Sequence, residues 1–181
     1  MKRLLGVALT LILAATVGVV GIHAADDSLL RTEIFGDQTL APVRGVNSAG
    51  NPWVTEKGKA KLRANGDLEV EIKGLVIAAG LNQAGLPVPA AVVGTNPVAQ
   101  VTVVVSWMAQ GGTVFQSTPL LPLSPQGNLK VKTNVGPRPV SGERPIIMVR
   151  AGGAGPYIGI SNFIADFGSS DCNGHGHDHD D

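Results

Sequence analysis

The chain has 181 residues, of which 44% are hydrophobic but only 4% aromatic, and its 14 basic side chains balance 14 acidic ones. A chain without basic excess has no electrostatic footprint for nucleic acid, so that class of partner is set aside. Cys172 is the only cysteine, which rules out an intrachain disulfide and leaves stability to packing.

Residues 1–24 carry Lys2 and Arg3, an uncharged run from Leu4 to Ile22, and a small residue at Ala24. A basic start, an apolar middle and a small-residue end form the layout of a secretory signal peptide. Cleavage after Ala24 or Ala25 gives a secreted or periplasmic protein with 12 basic and 14 acidic residues, a net charge of −2. The alternative is an uncleaved anchor through residues 4–22, a run close to the ~20 residues that span a bilayer. Gly6, Gly18, Gly21, Thr10 and Thr16 weaken that alternative, because glycine and threonine are poor helix formers. Either way, residues 26–167 are expected to fold outside the cytoplasm as one domain, with no membrane contact beyond the export segment.

The first strand is predicted at 30–36. Residues 59–63 and 67–73 then alternate charged and apolar side chains with the period of a half-buried strand. Ala60, Leu62, Leu68, Val70 and Ile72 share the dry face. A three-residue loop with Gly66 in the left-handed position keeps the two faces separate, whereas a two-residue Asn65-Gly66 turn would mix them. The resulting register sets Arg63 against Asp67, Lys61 against Glu69 and Lys59 against Glu71 on the wet face, and Leu62 against Leu68 on the dry one.

Residues 78–97 fit this scheme least well, since structureless connections of about 20 residues are unusual in compact domains. They read as a long apolar loop folded over one end, or as a loop with a short strand near Ala90–Val93. A recognition loop is the functional alternative. Strands follow at 99–109, where 101–105 is apolar enough to be buried on both faces, and at 113–118. Residues 121–131 read as a second hairpin, with Pro125 and Gly127 in its turn, Leu123 facing Leu129, and Leu121 facing Val131. Pro122 donates no ladder hydrogen bond and points to a sheet edge. The last strands are predicted at 146–151 and 157–165. The expected fold is therefore all-β: a single antiparallel, immunoglobulin-like β-sandwich of about eight short strands, preceded by the signal helix.

The folded part contains no histidine: His23 lies in the export segment, and His175, His177 and His179 lie near residue 181. A Ser-His-Asp or Cys-His device cannot be assembled in it, nor can a buried imidazole or thiolate site for zinc or copper. Copper–zinc dismutase and blue-copper identities fall for the same reason. Glu69 and Glu71 share one face, so a hydrolase working with carboxylates alone is the weakest functional alternative. The lysines opposite them favour ionised, solvent-facing carboxylates instead. Gly152 to Gly155 lacks the lysine of a phosphate-cradling loop and reads as a hairpin connection. Trp107 continues the apolar face of Val101, Val103 and Val105 and belongs to the core. Trp53, after Pro52 at a strand start, is a candidate surface platform.

Residues 168–181 change character. After Arg150 the chain has five aspartates (Asp166, Asp171, Asp178, Asp180 and Asp181) and no basic residue. Such a composition predicts a disordered tail. Within it His175, His177 and His179 alternate with Gly or Asp, and Asp178 and Asp180 supply oxygens. Together these are the candidate ligands for Cu²⁺, Ni²⁺ or Zn²⁺. Cys172 is a candidate for joining two chains by a disulfide.

Pro52-Trp53-Val54, the glycine-led strands Gly58-x-Ala60-x-Leu62 and Gly66-x-Leu68-x-Val70, and Gly74-Leu75-Val76 resemble the opening of a group of secreted bacterial β-rich proteins of unknown function. Asn96-Pro97-Val98 with Val101, then Pro119 to Pro125, is similar to their middle section. The resemblance covers residues 43–165 and implies a β-sandwich and an exported address, without active residues. The expected function is a non-catalytic binding or structural module for an extracytoplasmic ligand or protein. Divalent-metal binding or sequestration through the tail is the alternative.

Overall fold

The computed structural model describes residues 27–161, and every regular element among them is a strand. In chain order these are β1 (Ser28–Gly36), β2 (Trp53–Val54), β3 (Lys57–Arg63), β4 (Asp67–Lys73), β5 (Val76–Ile77), β6 (Gln100–Ala109), β7 (Gly112–Ser117), β8 (Leu121–Pro122), β9 (Leu129–Asn134), β10 (Glu143–Ala151) and β11 (Tyr157–Ser161). The all-β expectation holds, with eleven strands where about eight were expected. The extra ones are mainly two-residue pieces too short to show a period.

Nine strands form one antiparallel path, β7-β6-β10-β11-β1-β3-β4-β9, with β8 attached to β6, while β2 and β5 pair as a separate ribbon. β1 is the pivot. Its residues Ser28 to Glu33 pair with β3, whereas Ile34 to Gly36 pair with β11. The β1-β3-β4-β9 part curls into a half-barrel. Its buried side chains, Leu30, Leu62, Leu68, Val70 and Ile72, share one core with Val101, Val103, Val105, Trp107, Ile147, Val149 and Ile158 from the other part.

The β3–β4 hairpin has the register expected from the alternation, with Lys59, Lys61 and Leu62 opposite Glu71, Glu69 and Leu68. Gly66 has φ +89° and closes the loop through its N–H on the Arg63 carbonyl. A side chain there would also collide with the Gly136 backbone.

The second predicted hairpin needs correction. Its turn is present: Gly127 has φ +72° and donates to the Ser124 carbonyl. The strands on either side do not pair with each other. β8 joins β6, with Leu121 opposite Val101, and β9 joins β4, with Val131 opposite Val70. The turn is a crossing between the two parts of the path, and the apolar residues that suggested a ladder point into a common core instead. The Leu75 N–H bonds the Gly127 carbonyl at 3.1 Å, which seats the turn against the end of β4. Pro122 does lie at an edge, because among the described residues β8 pairs with β6 alone.

β6 is buried on both sides from Val101 to Trp107, as the apolar run implied. The chain segment 37–52 supplies part of the outer cover. There Val43 and Val46 exchange two backbone hydrogen bonds and pack with Ile146, Met148 and Tyr157 in a second, smaller core. Residues 78–97 form turns, and Ala90–Val93 is a turn where a short strand was considered. Val88 enters the main core and Val92, Val93 and Val98 pack against it, so the loop does close one end. Asn96 Nδ2 donates to the Val98 and Ser124 carbonyls at 3.0 and 2.8 Å and clips this loop to the crossing turn. Residues 152–156 connect β10 to β11, and the expected strand 157–165 is described as far as Ser161. Residues 1–24, expected to be a signal peptide, and residues 168–181, expected to be a disordered tail, lie outside the described residues.

Candidate functional site

Alternation fixes which side chains of β1, β3, β4 and β9 meet solvent, and lysine is concentrated there. One cross-strand row reads Glu33, Lys59, Glu71, Lys130; the next reads Arg31, Lys61, Glu69, Lys132. Arg63 and Asp67 extend the face at one end, and Lys57 stands directly opposite Lys73 at the other. The face therefore carries eight basic side chains against four acidic ones, a net +4 by subtraction. All six lysines that follow residue 26 are on it. Local sequence produces this segregation, because each of these strands puts its long polar residues at every second position.

The charged side chains wall a groove of about 440 Å³ whose floor is the sheet around Ala60, Val70 and Val131. Lys59 Nζ lies 3.1 Å from Glu71 Oε2, and Lys132 Nζ lies 3.2 Å from Glu69 Oε2. Arg63 reaches Glu69 at 3.3 Å and Asp27 at 3.7 Å. A hydrogen bond from Lys132 holds the Glu69 carboxyl below its ordinary range, and one from Lys59 does the same for Glu71. Asp67 is lowered chiefly by hydrogen bonds from Asn134 and Asn65. These carboxylates stay ionised and act as fixed counter-charges between the ammonium groups. Neither Glu69 nor Glu71 is tuned toward the raised pKa of a general acid.

A different polar cluster sits where β1 ends. Asp37 is fully buried and its Oδ1 accepts from the Thr39 and Leu40 backbone N–H groups at 3.1 and 3.3 Å. Thr39 Oγ1 lies 3.0 Å from that oxygen and 3.1 Å from the Tyr157 hydroxyl, which donates to the Ala41 carbonyl. Burial first, and the Asp37 charge to a lesser degree, raise the Tyr157 hydroxyl above the ordinary phenol range. This cluster pins the start of the 37–52 segment onto β11. Asp37 Oδ2 is buried and has no hydrogen-bond partner among the described residues.

The structure separates the residues singled out in the sequence. Glu69 and Glu71 are brought together with their lysines. Trp53 is only 3% exposed and packs in the main core, so it is not a surface platform; Gly36 lies directly against its backbone. Trp107 is also buried and its Nε1 donates to Gln116 Oε1 at 2.8 Å. The metal candidates His175, His177, His179, Asp178 and Asp180, together with Cys172, lie outside the described residues. Among the described residues, no three His, Cys, Asp or Glu side chains are grouped so as to hold a metal ion.

The lysine face itself was missed as a unit. Its signal was present in the periodic Lys and Glu positions of 57–73 and 130–132, but only the β4–β9 pairing joins the two segments. No family model, no curated protein and no solved structure matches the chain.

Proposed function

We propose that this protein is an exported, non-catalytic binding module of β-sandwich architecture, and that the lysine face of β1, β3, β4 and β9 recognises an anionic polysaccharide. The sandwich reading is supported by the single core shared between the two parts of the strand path. The binding reading rests on one observation, the gathering of all six lysines onto one grooved sheet face. Ammonium groups alternating with ionised carboxylates offer both donors and acceptors, which suits a chain of acidic, hydroxyl-rich sugars. Single-stranded nucleic acid is favoured by aromatic stacking platforms, and the groove is lined by none.

The test is binding of the mature chain to heparin, used as a sulfated polysaccharide probe, at low and high salt. Binding should weaken with salt and should fall strongly when Lys130 and Lys132 are both changed to Glu. Equal affinity in this variant, measured on folded protein, would overturn the reading.

The second reading is capture of a divalent metal by the tail, favoured by the spacing of His175, His177 and His179 with their aspartates. Cu²⁺, Ni²⁺ and Zn²⁺ would be titrated into the chain with and without residues 168–181. Micromolar binding lost on truncation supports it. Negligible binding by both forms removes it.

A further inference from the structure

The strand path has two ends, and they are guarded differently. At one end β9 pairs with β4 and carries the exposed Lys130 and Lys132. Lysines on an edge strand hinder its pairing with another chain. At the other end β7 pairs with β6, and among the described residues it has no second partner strand. Its sequence, GTVFQS from Gly112 to Ser117, contains neither charge nor proline, and its ladder with β6 runs without a bulge.

One bond fixes the direction of its backbone groups. The Thr118 N–H, just past the end of β7, donates to the Val103 carbonyl at 3.0 Å. Hydrogen-bonded and non-bonded pairs alternate along an antiparallel ladder. Gln116 and Val114 therefore exchange bonds with Val105 and Trp107, and the N–H and C=O groups of Thr113, Phe115 and Ser117 point away from β6. All three of these residues are exposed, Phe115 at 44%. Phe115 stands opposite Ser106 and Thr113 opposite Met108, so Phe115 and the exposed Met108 share one side of the sheet. Gln116 holds the strand in place. Its Oε1 accepts from Trp107 Nε1 and its Nε2 donates to the Pro137 carbonyl, both at 2.8 Å. Among the described residues this edge is preformed, apolar and unguarded.

Charge and symmetry select its occupant. Pairing with β9 of another copy would press Lys130 and Lys132 against an uncharged strand, and such a head-to-tail contact leaves further edges open. A second β7 brings no charge and closes about a two-fold axis. With the same side of each sheet kept in common, Phe115 falls opposite Phe115 of the second copy and Thr113 opposite Ser117. Each outward residue then exchanges both of its backbone bonds, and the two phenyl rings meet beside the Met108 side chains.

We infer that β7 is a dimerisation edge: two copies of this chain pair their β7 strands antiparallel about a two-fold axis at Phe115, extending the sheet across both molecules. The lysine face lies at the other end of each strand path and is not used. The pairing is independent of the polysaccharide reading.

The mature chain, kept reduced so that Cys172 cannot link copies, should pass from monomer to dimer with rising concentration in sedimentation velocity. In the dimer the amide protons of Thr113, Phe115 and Ser117 should gain protection from exchange, while those of Lys130 and Lys132 should not. Phe115→Lys sets two ammonium groups opposite each other. It should weaken dimerisation by about tenfold or more, since an aromatic anchor at the centre of an interface carries much of its energy. Leu86→Lys, on an exposed apolar side chain of the 78–97 loop, should leave dimerisation unchanged. The proposal is overturned by a monomer at every concentration up to about 1 mM, the weak limit of association, or by growth beyond two copies. A dimer whose three β7 amides exchange freely, or an equal loss in both lysine variants, also overturns it. Protection of those amides in a monomer at every dilution would assign the edge to another segment of the same chain and overturn it too. The exchange measurement uses the unaltered chain, so a variant that fails to fold does not decide the outcome.

Discussion

The two parts of the strand path treat their outer faces in opposite ways. β3, β4 and β9 turn lysines and glutamates to solvent, while β6 and β10 are buried on both sides. For β10 the difference arises from the 37–52 segment, which lays Val43 and Val46 over Ile146, Met148 and Tyr157. A sheet face left bare needs a charged surface and becomes available for recognition. One covered by a loop becomes core and depends on the loop's own anchors.

The largest expected effect exchanges the two characters. Met148→Lys would bury an ammonium among Val46, Ile146 and Tyr157. It should cost about 4 kcal/mol or more and leave little folded protein. Lys130→Met, the reverse change on the exposed face, should shift stability by no more than about 0.5 kcal/mol. Comparable losses in chemical denaturation would break the contrast.

Next are the anchors of the covering segment. Asp37→Ala leaves the Thr39 and Leu40 N–H groups without their acceptor and should cost about 3 kcal/mol. Asp37→Asn keeps an oxygen there and should cost less. Tyr157→Phe removes the bond to the Ala41 carbonyl and should cost about 1 kcal/mol. In each variant, amide exchange should accelerate across 37–49 before it does in β3 and β4. Uniform acceleration would mean that the segment is no separate cover.

Arg44 is a third anchor. Its Nη1 donates to the Ser106 carbonyl at 2.8 Å and its Nη2 to the Arg144 carbonyl. Burial, followed by the Arg144 charge, lowers its pKa from the ordinary guanidinium value. It also adopts φ +49°, a conformation few side chains take up freely. Arg44→Ala should cost about 2 kcal/mol, reflecting hydrogen bonds made by a charged donor, and Arg44→Lys should recover only part. Full recovery by lysine would show that charge alone matters.

The smallest effect is the acid limb of the exposed face. Asp67, Glu69 and Glu71 have folded-state pKa values below their ordinary ones. Their contribution is therefore complete above the unfolded carboxylate range near ~4.3 and is lost as pH falls through the lowered folded values. Melting temperature should be flat from neutrality down to that range and then decline. In the Glu69→Gln, Glu71→Gln double variant the decline should be shallower, and added salt should narrow the gap. An identical acid limb would show that these ion pairs do not contribute.

Legibility followed the same division. In 57–73 each charged residue alternates with an apolar one around a glycine turn, and local spacing alone predicted the β3–β4 register. β6 announced its burial through unbroken apolar composition, although nothing in Val101 to Trp107 indicates what covers it. Asp37, Thr39, Val43, Arg44 and Val46 follow no period and act through partners about 60 to 120 positions away, so they were missed. The hairpin expected at 121–131 failed for a related reason. Its apolar spacing is equally consistent with pairing to each other or to β6 and β4.

By itself the sequence determined the all-β class, the charged and apolar faces of β3 and β4, the turn glycines and the absence of histidine from 27–161. These are local properties, set by side-chain period and backbone geometry. Tertiary structure alone decided that β9 would align Lys130 and Lys132 with the lysines of β3, and that Trp53 would be core. Such neighbours come from strand pairing over long separations, where many registers satisfy the local pattern and only the shared core selects one.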